Sequence, residues 1–495
     1  RKKIKLRSRK MNKLSAVIDK LVFYARKNLG LAAENEIYAR NAVLDVLGSP
    51  DYAYTAQKCA DSTPEKLLEE LFSACEEAGI FTEDEREEYA DKVMGALTLS
   101  PRDINKAFAR RMRVNSKAAT DWFYTYCVKN DYVKKSKLDK NPRFEEGGLI
   151  VTINKAKPEF RDPKKAASGN SVKGGYPKCA ICRENEACPV RNKRTLRTVS
   201  LTLDGEKWFW QYSPYGYFNQ HGIAVNCEHT PMHVDRSTFV KLTDFVDMFP
   251  HYFIGCNAPL PRIGGSVLAH DHFQGGGEIL HMHMAHSYKL LARGNFDGIA
   301  EILDWPGTVI RVVCKDKQKL ADVCEEIRAK WVDFRDESLG IIPYDEQGAH
   351  NAVSPTVIKK PRGYEMNIIL RSNVTSEKYP DGVFHAHPEF HSIKKESIGL
   401  IEAQGLFILP GRLEKELSAV EEFIARGEQL PAEYAAFNLV YEEAKAIFER
   451  DGGSASSAMK KELGSICGRI LENTAVFKDK NLTVKFMEEL GFKAL

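Results

Sequence analysis

No histidine occurs in the first 220 residues of this 495-residue chain; all thirteen lie between His221 and His391. Histidine changes charge near neutral pH and is the commonest metal ligand, so this gap points the chemistry to the middle of the chain. Also missing is any apolar run near the 18 or so residues that a membrane span needs, which excludes a helical membrane protein. No apolar signal core follows the N-terminus, so nothing argues for export. The eleven cysteines fall at irregular spacing. Without an export signal they fit a reducing cytoplasm, not a disulfide scaffold. Acidic residues are absent from Arg1–Lys10, where seven of the basic residues cluster; the formal charge of the whole chain is only +4, so the body is near neutral. That start could be a nucleic-acid or targeting arm. Met11 follows it and opens an amphipathic pattern, so Met11 reads as the native start. With 43% hydrophobic and 10% aromatic residues, the composition is that of a water-soluble protein of several domains.

From Met11 to about Lys129 the spacing is helical: Leu14, Val17, Ile18, Leu21 and Ala25 share a face, and Gly30 stops it. Thr63-Pro64 predicts an N-cap and first turn, with Gly79 as the stop. Between Lys134 and Lys178 the chain reads as loop around one strand, Leu149–Ile153. The period then changes to two. Thr198–Leu203 and Lys207–Tyr212 flank Asp204-Gly205, the signal of a tight hairpin. Gly222–Cys227 reads as a strand, Asp235 as the cap of a helix carrying Phe239, Leu242, Phe245 and Phe249, and Tyr252–Cys256 as another strand. Further strands are expected at 308–314, 364–370 and 406–409, and helices from Leu413 and Pro431. The fold class is α+β.

The most informative segment is Gly264–Gly277, in which His270, His272 and Gln274 alternate. In an extended chain they share a face and can meet one substrate, while the glycines let backbone approach a phosphate. Alone, such a pair of histidines is also compatible with surface chance or the core. Cys179 and Cys182 form a C-x-x-C whose bite suits one tetrahedral zinc, against a redox dithiol or no special role. His229 and His270 are the best remaining ligands, with His233 the rival of His229. Cys188 and Cys227 read as small hydrophobes. His281, His283 and His286 are expected in an exposed loop or helix start, and Lys394 and Lys395 in a solvated charge run.

The motif His270-Asp271-His272-Phe273-Gln274 resembles the His-x-His-x-Gln of the galactose-1-phosphate uridylyltransferases, relatives of the histidine-triad nucleotidyl transferases. The wider chain resembles the family's second bacterial class, UDP-glucose:hexose-1-phosphate uridylyltransferase, in YPKCAICRENE (176–186), EKWFWQYSPYGYFNQH (206–221), EHTPM (228–232), FPHYFIGCNAPLP (249–261) and RSNVTSEKYPDGVFHAHPEFHSIKKESIGLIE (371–402). The resemblance covers most of the chain from Met11. It implies that His272 is the nucleophile accepting UMP, and that Gln274 contacts the phosphoryl oxygens with help from the Gly275 amide. It also implies that Cys179, Cys182, His229 and His270 hold a structural zinc. Ser266, Asn257, Arg371, Asn373, His385 and His387 are expected to contact substrate, the last two in a sugar-phosphate or second-metal region with His391. Two departures stand out. The segment 130–141 lacks the arginine-rich stretch expected there, and Asp271 replaces the Pro of the first class.

The implied fold is a duplicated histidine-triad-like core with helical additions. Its expected parts are a basic extension at 1–10, a helical region at 11–133, a first half with nucleophile and zinc ligands at 134–300, a second half at 301–412 and a helical region at 413–495. The implied activity moves UMP from UDP-glucose to galactose 1-phosphate, giving UDP-galactose and glucose 1-phosphate, in a cytoplasmic homodimer without nucleic-acid or membrane partners. A histidine-triad nucleotide hydrolase or phosphorylase and a zinc-stabilised nucleotide- or RNA-binding protein are the alternatives.

Overall fold

The computed structural model describes residues 2–48, 51–59, 61–155, 175–265, 267–346 and 348–495, those of 2–11 by backbone alone. Ser266 lies outside the described residues, as do residues 156–174 of the Lys134–Lys178 loop and the side chains of the basic start. The chain divides into two compact units. One comprises Arg1–Asp139, Gly174–Leu201 and Phe209–Gly216; the other comprises Lys140–Lys173, Thr202–Trp208 and Tyr217–Leu495. Among the described residues no helix is long and apolar enough to cross a membrane.

The first unit is helical where the apolar period predicts it. Its first helix runs Lys2–Tyr24, starting before Met11, and passes through one π turn, Ala25–Leu29, to Gly30 in the left-handed region (φ 75°). Leu14, Val17, Ile18 and Leu21 are buried on it. Thr63 accepts from the Lys66 N–H and caps Pro64–Ala78, and Gly79 (φ 71°) ends that helix as expected. Such a cap is worth about 1 kcal/mol. The half-exposed loop before the hairpin is tied down by Arg194, which donates to the buried Asp91 from its backbone (2.8 Å) and its guanidinium (2.9 Å).

The described residues also form strands. In chain order they are β1 (Arg143–Glu146), β2 (Leu149–Asn154), β3 (Val199–Leu203), β4 (Glu206–Tyr212), β5 (Gly222–Asn226), β6 (Phe253–Gly255), β7 (His272–Gly276) and β8 (Ser287–Ala292). There follow β9 (Ile299–Leu303), β10 (Val309–Cys314), β11 (Tyr344–Asp345), β12 (Gly348–Ala349), β13 (Asn351–Lys360), β14 (Gly363–Ser372), β15 (Leu406–Pro410) and β16 (Lys493–Ala494). Eleven of them form one sheet in the order β16-β8-β9-β10-β14-β13-β6-β7-β5-β4-β3. Asp204 (φ 47°) and Gly205 (φ 76°) both adopt the left-handed conformation that a two-residue hairpin turn demands.

Side chains alternate across this sheet. Phe273, Ile254, Val357 and Met366 occupy one face, which the helices Arg236–Met248 and Lys317–Val332 cover. His272, Gln274, Thr356 and Asn367 occupy the other, because their registers run Gln274↔Gly255, Gly255↔Thr356 and Thr356↔Asn367. The antiparallel β1-β2 pair joined in parallel by β15, with the helices Leu413–Arg426, Asn438–Asp451 and Ala455–Thr474, builds a large apolar core around Val151, Phe407, Leu417 and Ile466.

Two surface expectations fail here. His283 is fully buried: its Nε2 bonds Gln404 Oε1 (2.8 Å), and its Nδ1 accepts from Asn367 Nδ2 (3.0 Å). Lys394 is buried as well, its Nζ 2.9 Å from Glu402 and 3.2 Å from Glu396. In each case polar partners make burial of a polar group tolerable.

Candidate active site

β7 lies between β5 and β6, so its side-chain direction is fixed from both sides. Val225↔His272 and Ile223↔Gln274 on one neighbour, and Gly255↔Gln274 on the other, set His272 and Gln274 on the same face. Gly275 is sterically required. A Cβ there would sit 2.1 Å from the Phe253 carbonyl oxygen, so any side chain would push the strands apart.

His272 is buried, and its Nδ1 lies 2.8 Å from the His270 carbonyl oxygen. A carbonyl can only accept, so Nδ1 carries the proton and Nε2 keeps its lone pair. Burial holds the ring pKa below its usual value, only partly offset by that hydrogen bond, and the ring is neutral at pH 7. The result is a neutral imidazole with an open nitrogen, which is what nucleophilic attack on phosphorus requires.

His270 precedes β7 and is held in the same manner. Its Nε2 donates to the Asn226 carbonyl (2.9 Å), and its ring lies 4.4 Å, centroid to centroid, from that of His229. The Sγ atoms of Cys179 and Cys182 are 3.2 Å apart, and Asn185 Nδ2 donates to the carbonyls of both residues at 2.9 Å. One ligand atom from each of Cys179, Cys182, His229 and His270 lies within 4.8 Å of the others, a group that could hold a metal ion. It is the one such group of histidine, cysteine and carboxylate side chains among the described residues. His233, the rival of His229, is exposed and outside it. Burial and the neighbouring Cys179 push the Cys182 thiol up to about 12. A soft or borderline cation that displaces both thiol protons fits this donor set.

The other expected contacts divide. Asn257 accepts from the Leu400 N–H (2.8 Å) and fixes the start of a short helix. Asn373 spends its side chain on His350 (2.7 Å) and the Pro261 carbonyl (3.1 Å). Arg371 is different. It is buried, Nη2 donates to the Ile398 carbonyl (2.8 Å), and Nε and Nη1 meet no partner among the described residues. His385 is buried close enough to Arg371 to feel its charge, and burial above all lowers its pKa to about 4. Its Nδ1 donates to the Ala386 carbonyl (3.1 Å), while His387 Nε2 donates to that of Val383 (3.1 Å) and the His387 ring stacks on Tyr379 (4.0 Å). No three of His385, His387, His391 and their acidic neighbours converge as metal ligands among the described residues.

One polar neighbour of the motif was not foreseen. His221 is buried near Gln274, stacked on Tyr217 (centroids 4.9 Å apart) and tilted against Phe218 (4.6 Å). As the first histidine of the chain, next to the first residue of β5, it carried a signal only in retrospect.

Comparison with known proteins identifies the family. Residues 31–231 match the family described as galactose-1-phosphate uridyl transferase, N-terminal domain, and residues 217–436 match its C-terminal domain. A galactose-1-phosphate uridylyltransferase of Bifidobacterium longum is 50% identical over 98% of this chain and 99% of its own length. Those of Fusobacterium nucleatum (33% identical, 97% and 99% covered) and Halalkalibacterium halodurans (36%, 93% and 95%) are also similar. Among solved structures, yeast Ap4A phosphorylase Apa2 is 12% identical, covers 59% of this chain and 88% of its own, and has a TM-score of 0.33, too slight a likeness to bear on the fold. On full-length identity to curated relatives and on both domain matches, the chain belongs to the galactose-1-phosphate uridylyltransferase family.

Proposed function

We propose that the chain exchanges UMP between hexose 1-phosphates in two displacements on His272, taking it from UDP-glucose and passing it to galactose 1-phosphate. The observation that carries the reading is the Nδ1–H of His272 bound to the His270 carbonyl, which leaves Nε2 as the nucleophile. Nε2 attacks the α-phosphorus, the bond to the bridging oxygen breaks, and glucose 1-phosphate departs with that electron pair. The uridylylated ring carries a positive charge, and its remaining N–H stays on the carbonyl. A phosphate oxygen of galactose 1-phosphate then attacks the same phosphorus, returning the electron pair to Nε2 and releasing UDP-galactose. Each step replaces one difficult transfer by an easier one.

Gln274, on the same face as His272, donates to the equatorial oxygens as charge shifts onto them. Gly275 is committed to the ladder on both sides, so it supplies close packing and not a donated N–H. The unmatched donors of Arg371 suit a phosphate, and the open nitrogen of His385 suits a sugar hydroxyl. Cys179, Cys182, His229 and His270 would hold zinc, which supplies a fixed strut when bound; His270 Nε2 is spent on Asn226, so Nδ1 is its ligand atom. The two successive halves, 134–300 and 301–412, a cytoplasmic setting and a homodimer complete the reading.

The test incubates the protein with UDP-glucose and galactose 1-phosphate and separates the nucleotide sugars by chromatography. Stoichiometric UDP-galactose and glucose 1-phosphate are expected. Free UMP in place of UDP-galactose would replace the transferase reading by a hydrolase.

A further inference from the structure

We propose that His221 is a positioning residue that fixes which end of the Gln274 amide faces the nucleotide. The inference rests on the reading of His272 as nucleophile and of Gln274 as its phosphoryl-oxygen donor, and it concerns a side chain that this reading leaves unused.

Four observations lead to it. The His221 ring is 4% exposed, stacked on Tyr217 and packed at a tilt of 40° against Phe218, so its rotation is restricted. The Tyr217 N–H points at His221 Nδ1 over 3.4 Å, which makes Nδ1 an acceptor. Burial lowers the ring pKa to about 4, so at neutral pH the ring carries a single proton, and that proton must sit on Nε2. Nε2 is buried without a hydrogen-bond partner among the described residues, and the Gln274 side chain is the polar group near enough to influence the ring. Register makes the two diagonal neighbours, because Gln274 pairs with Ile223, two residues after His221, and a diagonal pair lies within reach of long side chains.

A primary amide has one accepting and one donating end. The N–H of His221 repels the NH2 end and attracts Oε1. Gln274 is therefore held with Oε1 toward His221 and Nε2 turned the other way, where it donates to the phosphoryl oxygens. Without that N–H the amide can flip, and the flipped form offers a lone pair to an oxygen that is becoming more negative. The gain is preorganisation: the amide does not have to reorient as the transition state forms. The contact tightens when a nucleotide pulls the amide into line, consistent with catalytic hydrogen bonds that are long in the free protein.

The experiment is a double-mutant cycle on the first half-reaction, read as glucose 1-phosphate released from UDP-glucose alone. His221→Phe keeps the stacked ring and removes the N–H. It should keep its thermal midpoint near that of the wild type, leave KM for UDP-glucose within about threefold and slow the step about tenfold or more, a fraction of what losing a whole donor costs. Combined with Gln274→Ala, it should cost no more than about twofold beyond Gln274→Ala alone, since the two act as one unit. His221→Gln, which keeps an N–H, should recover most of the rate. Losses that multiply, or a His221→Gln variant as slow as His221→Phe, would overturn the proposal. If His221→Phe does not fold, His221→Met against His221→Gln asks the same question, and equal rates reject it. Failure of the underlying reading looks different: the wild type would carry no uridylyl group on His272.

Discussion

The imidazole of His272 gives its one proton to the backbone of His270, 2.8 Å away, two residues earlier in the same chain. The proposed nucleophile and a candidate metal ligand are thus coupled through a peptide carbonyl and not through a side chain. Whatever fixes His270 also fixes the tautomer of His272.

His272→Ala should therefore give neither adduct nor turnover. Gln274→Ala should still form the adduct, about 10² to 10³ times more slowly, because it removes a donor and not the nucleophile. Mass spectrometry after incubation with UDP-glucose alone reads both, and the phosphorus–nitrogen bond should be acid-labile and comparatively stable to alkali. A label mapping to His270 contradicts the assignment.

Asn185→Ala should loosen metal without touching a ligand. It deprives the buried Cys179 and Cys182 carbonyls of their shared donor, at a cost of about 1–3 kcal/mol. Bound metal should leave faster to a chelator and the melting temperature should fall with it, as should happen more severely in Cys179→Ser. An unchanged release rate would show that the loop does not depend on this amide.

Much of this was legible before the structure. The Thr63 cap, the Asp204-Gly205 turn and the alternation at His272 and Gln274 are local, and local chemistry decides them. His283, Lys394 and His221 were not legible. The partners of His283 and His221, Gln404 and Gln274, lie far along the chain, and a polar residue whose partner is distant reads as a surface residue; Lys394 meets Glu402 only eight residues on, across a bend of the chain that a run of charges does not reveal. Arg371 was singled out for its chemistry alone; its orphaned donors belong to packing that no spacing reveals.

Acid sensitivity follows from His283. Burial above all, with Arg311 nearby, drives its pKa down to about 3, against about 6.5 in an unfolded chain. The folded state binds this proton less readily, so its contribution is complete above about pH 6.5 and is lost as pH falls from there toward 3, by about 1.4 kcal/mol per unit. His283→Gln should flatten the fall in urea midpoint between pH 7 and 5 relative to the wild type. Parallel slopes would assign the acid loss to other groups.

Gly275→Ala should be among the most damaging small substitutions. The added methyl meets a backbone carbonyl that cannot rotate away, and overpacking of this kind costs about 1–3 kcal/mol or more. Lower thermal stability and a lost adduct should appear together; a stable, active variant would mean that β6 and β7 can part.

The parallel pairing of β2 with β15 sets a timetable for biosynthesis. Ile150 pairs with Glu145 of β1 at once, but its other edge finds no partner until Leu406 has emerged from the ribosome, so an early-made hairpin must wait with one edge open while most of its unit is still being translated. A nascent chain stalled anywhere in that interval is a client for chaperones, and synonymous changes that slow translation there should lower soluble yield without altering a single contact in the finished protein.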